Sequence, residues 1–339
     1  MTHPTLDQIR EAHARIRDRI NLTPVWRWRT GIIEQAFPGQ TEIWLKLELL
    51  QITGTFKLRG ALMNLSALSP QALRRGVTAV SAGNHAIAVA YAARASGATA
   101  KVVMMQTSSP ARVQLCKDMG AEVILAPNVH EAFETVKRIE QDEGRTFIHP
   151  FEGELTALGT ATLGLELCSQ LPNLDVVIVP IGGGGLCAGI ATAVKQLNPN
   201  CKVIGVEPEG ADSMSRSLSS GKPETLEAVR TVADSLGAPY ALPYSFGLVQ
   251  QFVDEVVRVS DDALCEAMFY LFGDMKLAVE PACAAATAAA LGPLRETLTG
   301  KRVCLIACGS NIDSARFTEL LSRGAALARQ NLTGWPEKL

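Results

Sequence analysis

One lysine, Lys57, stands between Phe56 and Leu58 in the mostly apolar stretch LELLQITGTFKLRGALMNL (47–65). It follows a Thr-Gly-Thr turn and opens what reads as a helix, with Arg59 as the only other cation in the stretch. Such a lysine can lay its stem on apolar surface and send its ammonium to water. Held away from water it becomes partly neutral, and it can then attack a carbonyl to form a Schiff base.

A second chemical feature is DVVIVPIGGGGLCAGIATAVKQLN (175–198), a strand, four consecutive glycines and a helix. Glycines let the backbone approach a ligand, and a helix N-terminus adds partial positive charge, so the loop suits a phosphate. No Lys-Ser/Thr follows it, which excludes a Walker A motif. The spacing Gly183, Gly185, Ala188, with Glu207 at the end of the next strand, formally meets the dinucleotide fingerprint in its alanine form. A nicotinamide-dependent Rossmann enzyme is therefore the competing reading, although it leaves Lys57 and a third feature, SAGNH (81–85), without a role.

The elements that must position these groups alternate along the chain. Strand-length apolar runs are EIWLKLE (42–48), VTAVSA (77–82), KVVMM (101–105), EVILA (122–126), TFIHP (146–150), DVVIVPIG (175–182), KVIGVEP (202–208), FVDEVVRVS (252–260) and RVCLIACG (302–309). Helical patterns such as HAIAVAYAARASG, PARVQLCKDMG, VHEAFETVKRIEQDEG and DALCEAMFYLFGDM lie between them, and Ser109-Pro110 reads as a capped helix start. The alternation predicts an α/β fold with parallel sheets. In such sheets ligands bind beyond the carboxyl ends of strands, which singles out SAGNH, PIGGGGLCAG (180–189) and ACGSNID (307–313). The Ala-rich run LAVEPACAAATAAAL (277–291) reads as a core helix, and QNLTGWPEKL (330–339) as a loose tail.

Composition narrows the function further. The 339 residues are 47% hydrophobic and 19% charged, enough for two lobes. A net charge of -2 gives no electrostatic case for nucleic acid or an anionic membrane as partner. No apolar run is long enough for a membrane helix, and the polar start MTHPTLDQIREAHARIR has no secretory core. The eight cysteines show no CxxC spacing, so they read as reduced core residues of a cytoplasmic protein.

In this order, TFKLRGA, SAGNHA and GGGGL resemble the fold type two pyridoxal-phosphate enzymes, in particular their serine/threonine dehydratase (ammonia-lyase) and serine racemase branch. The resemblance runs from Leu22-Thr23-Pro24 to ACGSNID and implies the short, catabolic-type form without a regulatory domain. It implies a tryptophan synthase beta-like α/β fold of two open parallel-sheet domains with the cofactor in the cleft between them. Residues 1–52 and 152–339 would form the large domain, with a small domain, 53–151, inserted in it. A homodimer acting on a small-molecule amino-acid substrate is implied as well.

Carried over by position, Lys57 would hold pyridoxal 5'-phosphate as a Schiff base and then serve as base at Cα. Phe56 would lie against the ring, Asn84 would bond its hydroxyl, and Gly182, Gly183, Gly184 and Gly185 would hold its phosphate. Cys308 would face the pyridine nitrogen, where a thiol cannot stabilise a pyridinium as an aspartate would, so elimination is favoured over transamination. Ser81, Ala82, Gly83, Asn84 and His85 would bind the substrate carboxylate. A divalent cation, Mg or Ca, would use Glu207, Ala211 and, where relatives have Asp, Ser213; read from the residues alone, Glu207 is equally a strand-end carboxylate that caps the next turn. Racemases carry a second serine where this chain has Ala82, so racemisation should be poor. The family's Gly-Gln-Gly-Thr reads Gly159-Thr160-Ala161-Thr162 here. The implied reaction is dehydration of an L-threonine- or L-serine-type substrate to a 2-keto acid and ammonia. The altered Gly-Thr-Ala-Thr and the stretch PYALPYSFG (239–247) admit a substituted substrate such as a hydroxyaspartate or an aryl-serine.

Overall fold

The apolar runs pair off into two sheets. The structure, a computed structural model, describes residues 2–331, so most of the expected tail lies outside the described residues. The strands are β1 (Val25–Trp28), β2 (Glu42–Leu47), β3 (Val77–Val80), β4 (Ala100–Met105), β5 (Glu122–Ala126), β6 (Thr146–Phe147), β7 (Val176–Pro180), β8 (Lys202–Pro208), β9 (Glu255–Val259) and β10 (Arg302–Ala307). One sheet has six strands in the order β1-β2-β10-β7-β8-β9, and the other has four in the order β5-β4-β3-β6. Every residue of β3 and of β7 is buried, as expected for parallel strands covered by helices on both faces.

Three sequence expectations need correction. VWRW, which lies outside the strand-length apolar runs, forms β1, pairing antiparallel with β2 at the edge of an otherwise parallel sheet. It is short and leaves Trp26 60% exposed, so it carries little of the apolar run that marks an interior strand. TFIHP is a strand only over Thr146–Phe147; the chain then leaves the sheet, and His149 and Pro150 turn toward Lys57. Pro110 does open the helix Pro110–Asp118, but the Ser109 side chain caps no amide.

The larger hydrophobic cluster surrounds the six-stranded sheet, with the Ala-rich helix Pro281–Leu291 buried in it. A second cluster joins the four-stranded sheet to Leu58 and Leu62 of the helix Lys57–Ser66. Ile9, Ala12 and Ile16, from the N-terminal helix Leu6–Ile16, belong to this second cluster. The carboxyl ends of β3, β7 and β10 lead into SAGNH, the glycine run and ACGSNID, which brings all three loops to one cleft.

Candidate active site

Main-chain bonds set the position of Lys57. Gly54, at φ +72°, closes the turn before it and donates its amide to Gln51 O at 2.7 Å. Ser310 N then donates to Gly54 O at 3.0 Å, and Phe56 N donates to Cys308 O at 3.1 Å. Thr55 and Gly309 form an antiparallel bridge between the same two segments. Lys57 Nζ donates to Pro150 O at 2.6 Å and sits 5.1 Å from the centroid of the Phe56 ring. Burial pulls the lysine pKa down to about 8, against the opposing pull of Cys308 and Glu280.

The helix that Lys57 opens is anchored one turn on. Arg59, fully buried, donates from Nε and Nη2 to both oxygens of Glu48 at 2.8 Å. It also donates to Glu166 Oε1 and Oε2 at 2.8 and 2.7 Å, and to Thr162 Oγ1 at 3.1 Å. Lys46 Nζ meets Glu166 Oε2 at 3.0 Å in the same cluster. Burial pushes Glu166 up, but His13, Arg59 and Lys46 outweigh it and hold the carboxyl at about 2. The Gly159-Thr160-Ala161-Thr162 segment now has a physical explanation. A Cβ on Gly159 would lie 2.6 Å from Gly60 Cα, so the two helices cross in close contact only with glycine there. Thr160 Oγ1 donates to Gly185 O at 2.7 Å, which ties the same helix to the glycine run.

Among the described residues, the amides of Gly182, Gly183, Gly184 and Gly185 have no protein acceptor. They open the helix Gly185–Leu197, so its N-terminal donors remain available to an anion. Gly184 takes φ +94°, a conformation that L side chains rarely adopt. The loop shares a cavity with Phe56, Lys57, Asn84, Glu280 and Cys308. Hydrogen bonding to Cys283, then burial, raises the Cys308 pKa well above the ordinary thiol value, so the group facing this cavity is neutral.

Glu207 is turned away from that cavity. Its oxygens accept from Met214 N and Ser215 N at 2.8 Å and from Ser215 Oγ at 2.6 Å, capping the helix Ser213–Ser220. Ala211 and the Ser213 side chain are buried beside it, and Ser213 Oγ has no partner. Among the described residues no group of three or more His, Cys, Asp or Glu converges as metal ligands would. The carboxylate that could ligate a cation, or bind the ribose in the dinucleotide reading, is spent on the helix cap, so the residues present do not fit a divalent cation.

Ser81, Ala82, Gly83, Asn84 and His85 lie at the start of the helix Asn84–Ala95 and line a cavity of about 200 Å³ together with Lys57. The amides of Ala82, Asn84 and His85 have no protein acceptor among the described residues, while Gly83 N bonds Ser81 Oγ at 3.0 Å. His85 Nε2 contacts Ile148 O at 2.8 Å, and burial with Lys57 nearby drops its pKa to about 3, so it is neutral at physiological pH. Asn84 Nδ2 donates to Glu280 Oε1 at 2.7 Å, and Asn84 Oδ1 accepts from Asn311 Nδ2 at 2.9 Å.

Sequence reasoning missed Glu280, Arg112, Asp234, Ser235 and Asn311. Glu280 is fully buried, accepts from Asn84 and Ser235, and pairs with Arg112 at 3.4 Å. Burial, against the pull of Arg112, raises its pKa to about 7. Arg112 also pairs with Asp234 and donates from Nε to Asn311 O at 2.8 Å. One signal was present for Glu280: a carboxylate in an otherwise apolar run needs a buried partner. Arg112 had no such signal, because its partners lie more than a hundred residues away.

A family model described as "Pyridoxal-phosphate dependent enzyme" matches residues 16–309. A phenylserine dehydratase from Ralstonia pickettii is 54% identical over 323 residues, covering 95% of this chain and 98% of that one. An L-threonine ammonia-lyase from Thermotoga maritima is 37% identical over 321 residues, covering 94% of this chain and 79% of the other. The solved structure of maize serine racemase superposes with a TM-score of 0.88 at 33% identity, covering 98% of this chain and 100% of that one.

Proposed function

Because this chain belongs to the pyridoxal-phosphate-dependent enzyme family, we propose that its cleft dehydrates an aryl-substituted β-hydroxy amino acid of the phenylserine type. The product is an aryl 2-keto acid, released with ammonia. The chain is a pyridoxal-phosphate-dependent lyase for β-hydroxy amino acids. The observation that carries the finer reading is the wall of the cavity beside Lys57, which is formed by Phe133, Phe151, Tyr240, Met105 and Pro239.

The residues present fit the cofactor. Unspent amides at Gly182–Gly185 suit its phosphate, Lys57 suits its aldehyde, and Phe56, Asn84 and Cys308 border the same cavity. Bound pyridoxal phosphate supplies the electron sink that makes the Cα proton of an amino acid acidic. The rest is the work of side chains and amides in this chain. The free amides at Ala82, Asn84 and His85 would take the substrate carboxylate at a helix N-terminus. Lys57 would take the Cα proton, a Cα=Cβ bond would form as the Cβ–O bond breaks, and the departing hydroxide would leave as water by taking up one proton, equal to the one held on Lys57. The released enamine tautomerises and hydrolyses to the keto acid and ammonia. The neutral His85 adds no positive charge against the carboxylate, so its loop acts through main-chain donors.

The lysine pKa gives a test that needs no turnover. Only the neutral amine attacks an aldehyde, and below pH 8 the neutral fraction falls about tenfold per pH unit. The rate at which cofactor-free protein takes up pyridoxal phosphate, followed by visible absorbance, should therefore climb from pH 6 and level off above pH 8. A flat profile would show that Lys57 is not the reacting amine.

The cavity also separates aryl-serine from hydroxyaspartate. Arg112 is the guanidinium that lines it, and Asp234, Glu280 and Asn311 O already occupy that group. A second substrate carboxylate would face Asp234 and Glu280 without a free cation. Burying an aromatic side chain contributes about 1.5–3 kcal/mol, or roughly 10- to 150-fold. We expect kcat/KM for L-threo-phenylserine to exceed that for L-threonine by at least about tenfold, a range set by the same burial term. 3-Hydroxyaspartate should be the poorest of the panel, and if it proved the best substrate the aryl reading would fail.

A homodimer and a cytoplasmic location belong to the same proposal. The exposed Leu22, Trp26 and Leu50 near the β1 edge support the first, and eight unpaired cysteines support the second. Among the described residues no helix is long and apolar enough to cross a membrane.

A further inference from the structure

We propose that Phe133 and Tyr240, supplied from opposite sides of the cleft, form a clamp that grips the aryl ring of the substrate and sets the preference for aryl over short aliphatic side chains. This rests on the function proposed above and goes further by assigning the specificity to particular residues.

Phe133 belongs to the helix Val129–Glu143, which packs on the four-stranded sheet. Tyr240 lies in the segment between β8 and β9 of the six-stranded sheet. A bridge to Thr225 holds its main chain, and Leu226 N donates to Pro239 O at 2.7 Å beside it. Between these two residues runs an unbroken row of rings. Phe133 and Phe147 have centroids 6.4 Å apart, Phe147 and His149 5.6 Å, His149 and Phe151 4.7 Å, and Phe151 and Tyr240 6.0 Å. The first three contacts are edge-on, the favoured geometry for aromatic pairs. His149 accepts from Phe151 N and Glu152 N through Nδ1, and burial keeps its pKa at about 4, so the row is uncharged at neutral pH.

Phe133, Phe151 and Tyr240 line the same cavity of about 200 Å³ as Lys57 and SAGNH. Lys57 and the SAGNH amides fix the Cα end of a substrate. Its β-substituent is then left with the volume bounded by Phe133, Phe151, Tyr240, Met105, Val129 and Pro239. An aromatic ring there meets apolar surface from both lobes and joins the row. A methyl group buries far less apolar area against these walls than a phenyl ring does, so threonine gains less from them. Phe133 and Val129, one turn apart on the same helix, both give the cavity an apolar lining.

The test compares Phe133→Ala and Tyr240→Ala with the wild-type holoenzyme on L-threo-phenylserine and L-threonine. Each variant should lower the phenylserine-to-threonine ratio of kcat/KM at least tenfold, mainly through KM. L-Phenylalanine has no hydroxyl to eliminate and probes binding alone. Its inhibition constant relative to that of L-alanine should rise by a similar factor, while Tyr240→Phe and Phe133→Leu recover most of the preference. Melting curves and the cofactor absorbance report whether each variant is folded and loaded. Ratios that stay within twofold of wild type, or equal losses on both substrates, would overturn the clamp while a phenylserine-preferring wild type leaves the proposed function standing. A wild type that consumes threonine but neither binds nor consumes phenylserine would overturn both.

Discussion

Lys57→Ala is expected to fold, to lose the visible absorbance of the bound cofactor, and to release no measurable keto acid. A general base alone contributes about 10²- to 10⁴-fold. Loss of the covalent attachment removes substrate exchange as well, so turnover should drop by at least the upper end of that range. Folding should not suffer. Burial already disfavours the charged lysine, as its lowered pKa records, and its Nζ makes a single main-chain hydrogen bond, to Pro150. Removing the ammonium thus takes away a desolvated charge along with that bond. Thermal melting, absorbance and a keto-acid assay on one preparation check all three outcomes. A small primary amine added to the variant should restore a little turnover if a missing base is the whole defect. A variant that runs at the normal rate would refute the assignment of Lys57.

Arg59→Met is expected to have the largest effect on stability. Arg59 pairs with Glu48 and Glu166 at once, and all three side chains are almost wholly buried. Deleting one member of such a cluster leaves uncompensated charge and costs about 3–5 kcal/mol. Urea titration at neutral pH should show that loss as a fall in midpoint. Adding Glu48→Gln to the variant should recover part of it, because that orphaned charge goes with its partner, whereas Glu166 must stay ionised to pair with the buried Lys46. The pH dependence has a defined sign. In the native protein Glu166 titrates near 2, below its unfolded value of about 4.3. Its contribution is therefore present above pH 4.3 and is lost as pH falls toward 2. Without Arg59 its share of that contribution is absent from the start, while His13 and Lys46 still act on Glu166, so the gap between variant and native protein should narrow in acid. A gap that stayed constant would mean that lost packing, not charge, accounts for the effect.

The parts of this molecule that could be read from sequence are those whose physics is local. Strand-length apolar runs located nine of the ten strands, and β1 was missed because it is short and half exposed at a sheet edge. The glycine run, SAGNH and Lys57 announce themselves by residue type next to a strand or helix end, and the fold brings them to one cleft. The groups that link them are non-local. Glu280 and Asn84 are separated by 196 residues, and Arg112 and Asp234 by 122. No periodicity encodes such pairs. The row of rings escaped for the same reason: Phe147, His149 and Phe151 alternate like a strand, but Phe133 and Tyr240 join them only once both lobes are in place. Glu207 was open between two readings, since a helix cap and a ligand share the same residue type and position, and the structure shows the cap.

The ties between the lysine turn and the strand end that carries Cys308 include, beside a side-chain bond from Asn311 to Thr53 O, two amide-to-carbonyl bonds, at Phe56 and Ser310. Such bonds are indifferent to the side chains on either segment, so mutational drift can exchange the thiol at 308 for another small polar group without re-siting the lysine. Gly309 is the exception, because a Cβ there would come within 2.6 Å of Glu280 Oε1. The far wall of the cleft presents the side chains of Phe133 and Tyr240, and exchanging them leaves the main-chain bonds beside Tyr240 in place. A lineage, or a laboratory selection, can therefore retool the diet of this enzyme at positions 133 and 240 while the reacting end is inherited intact.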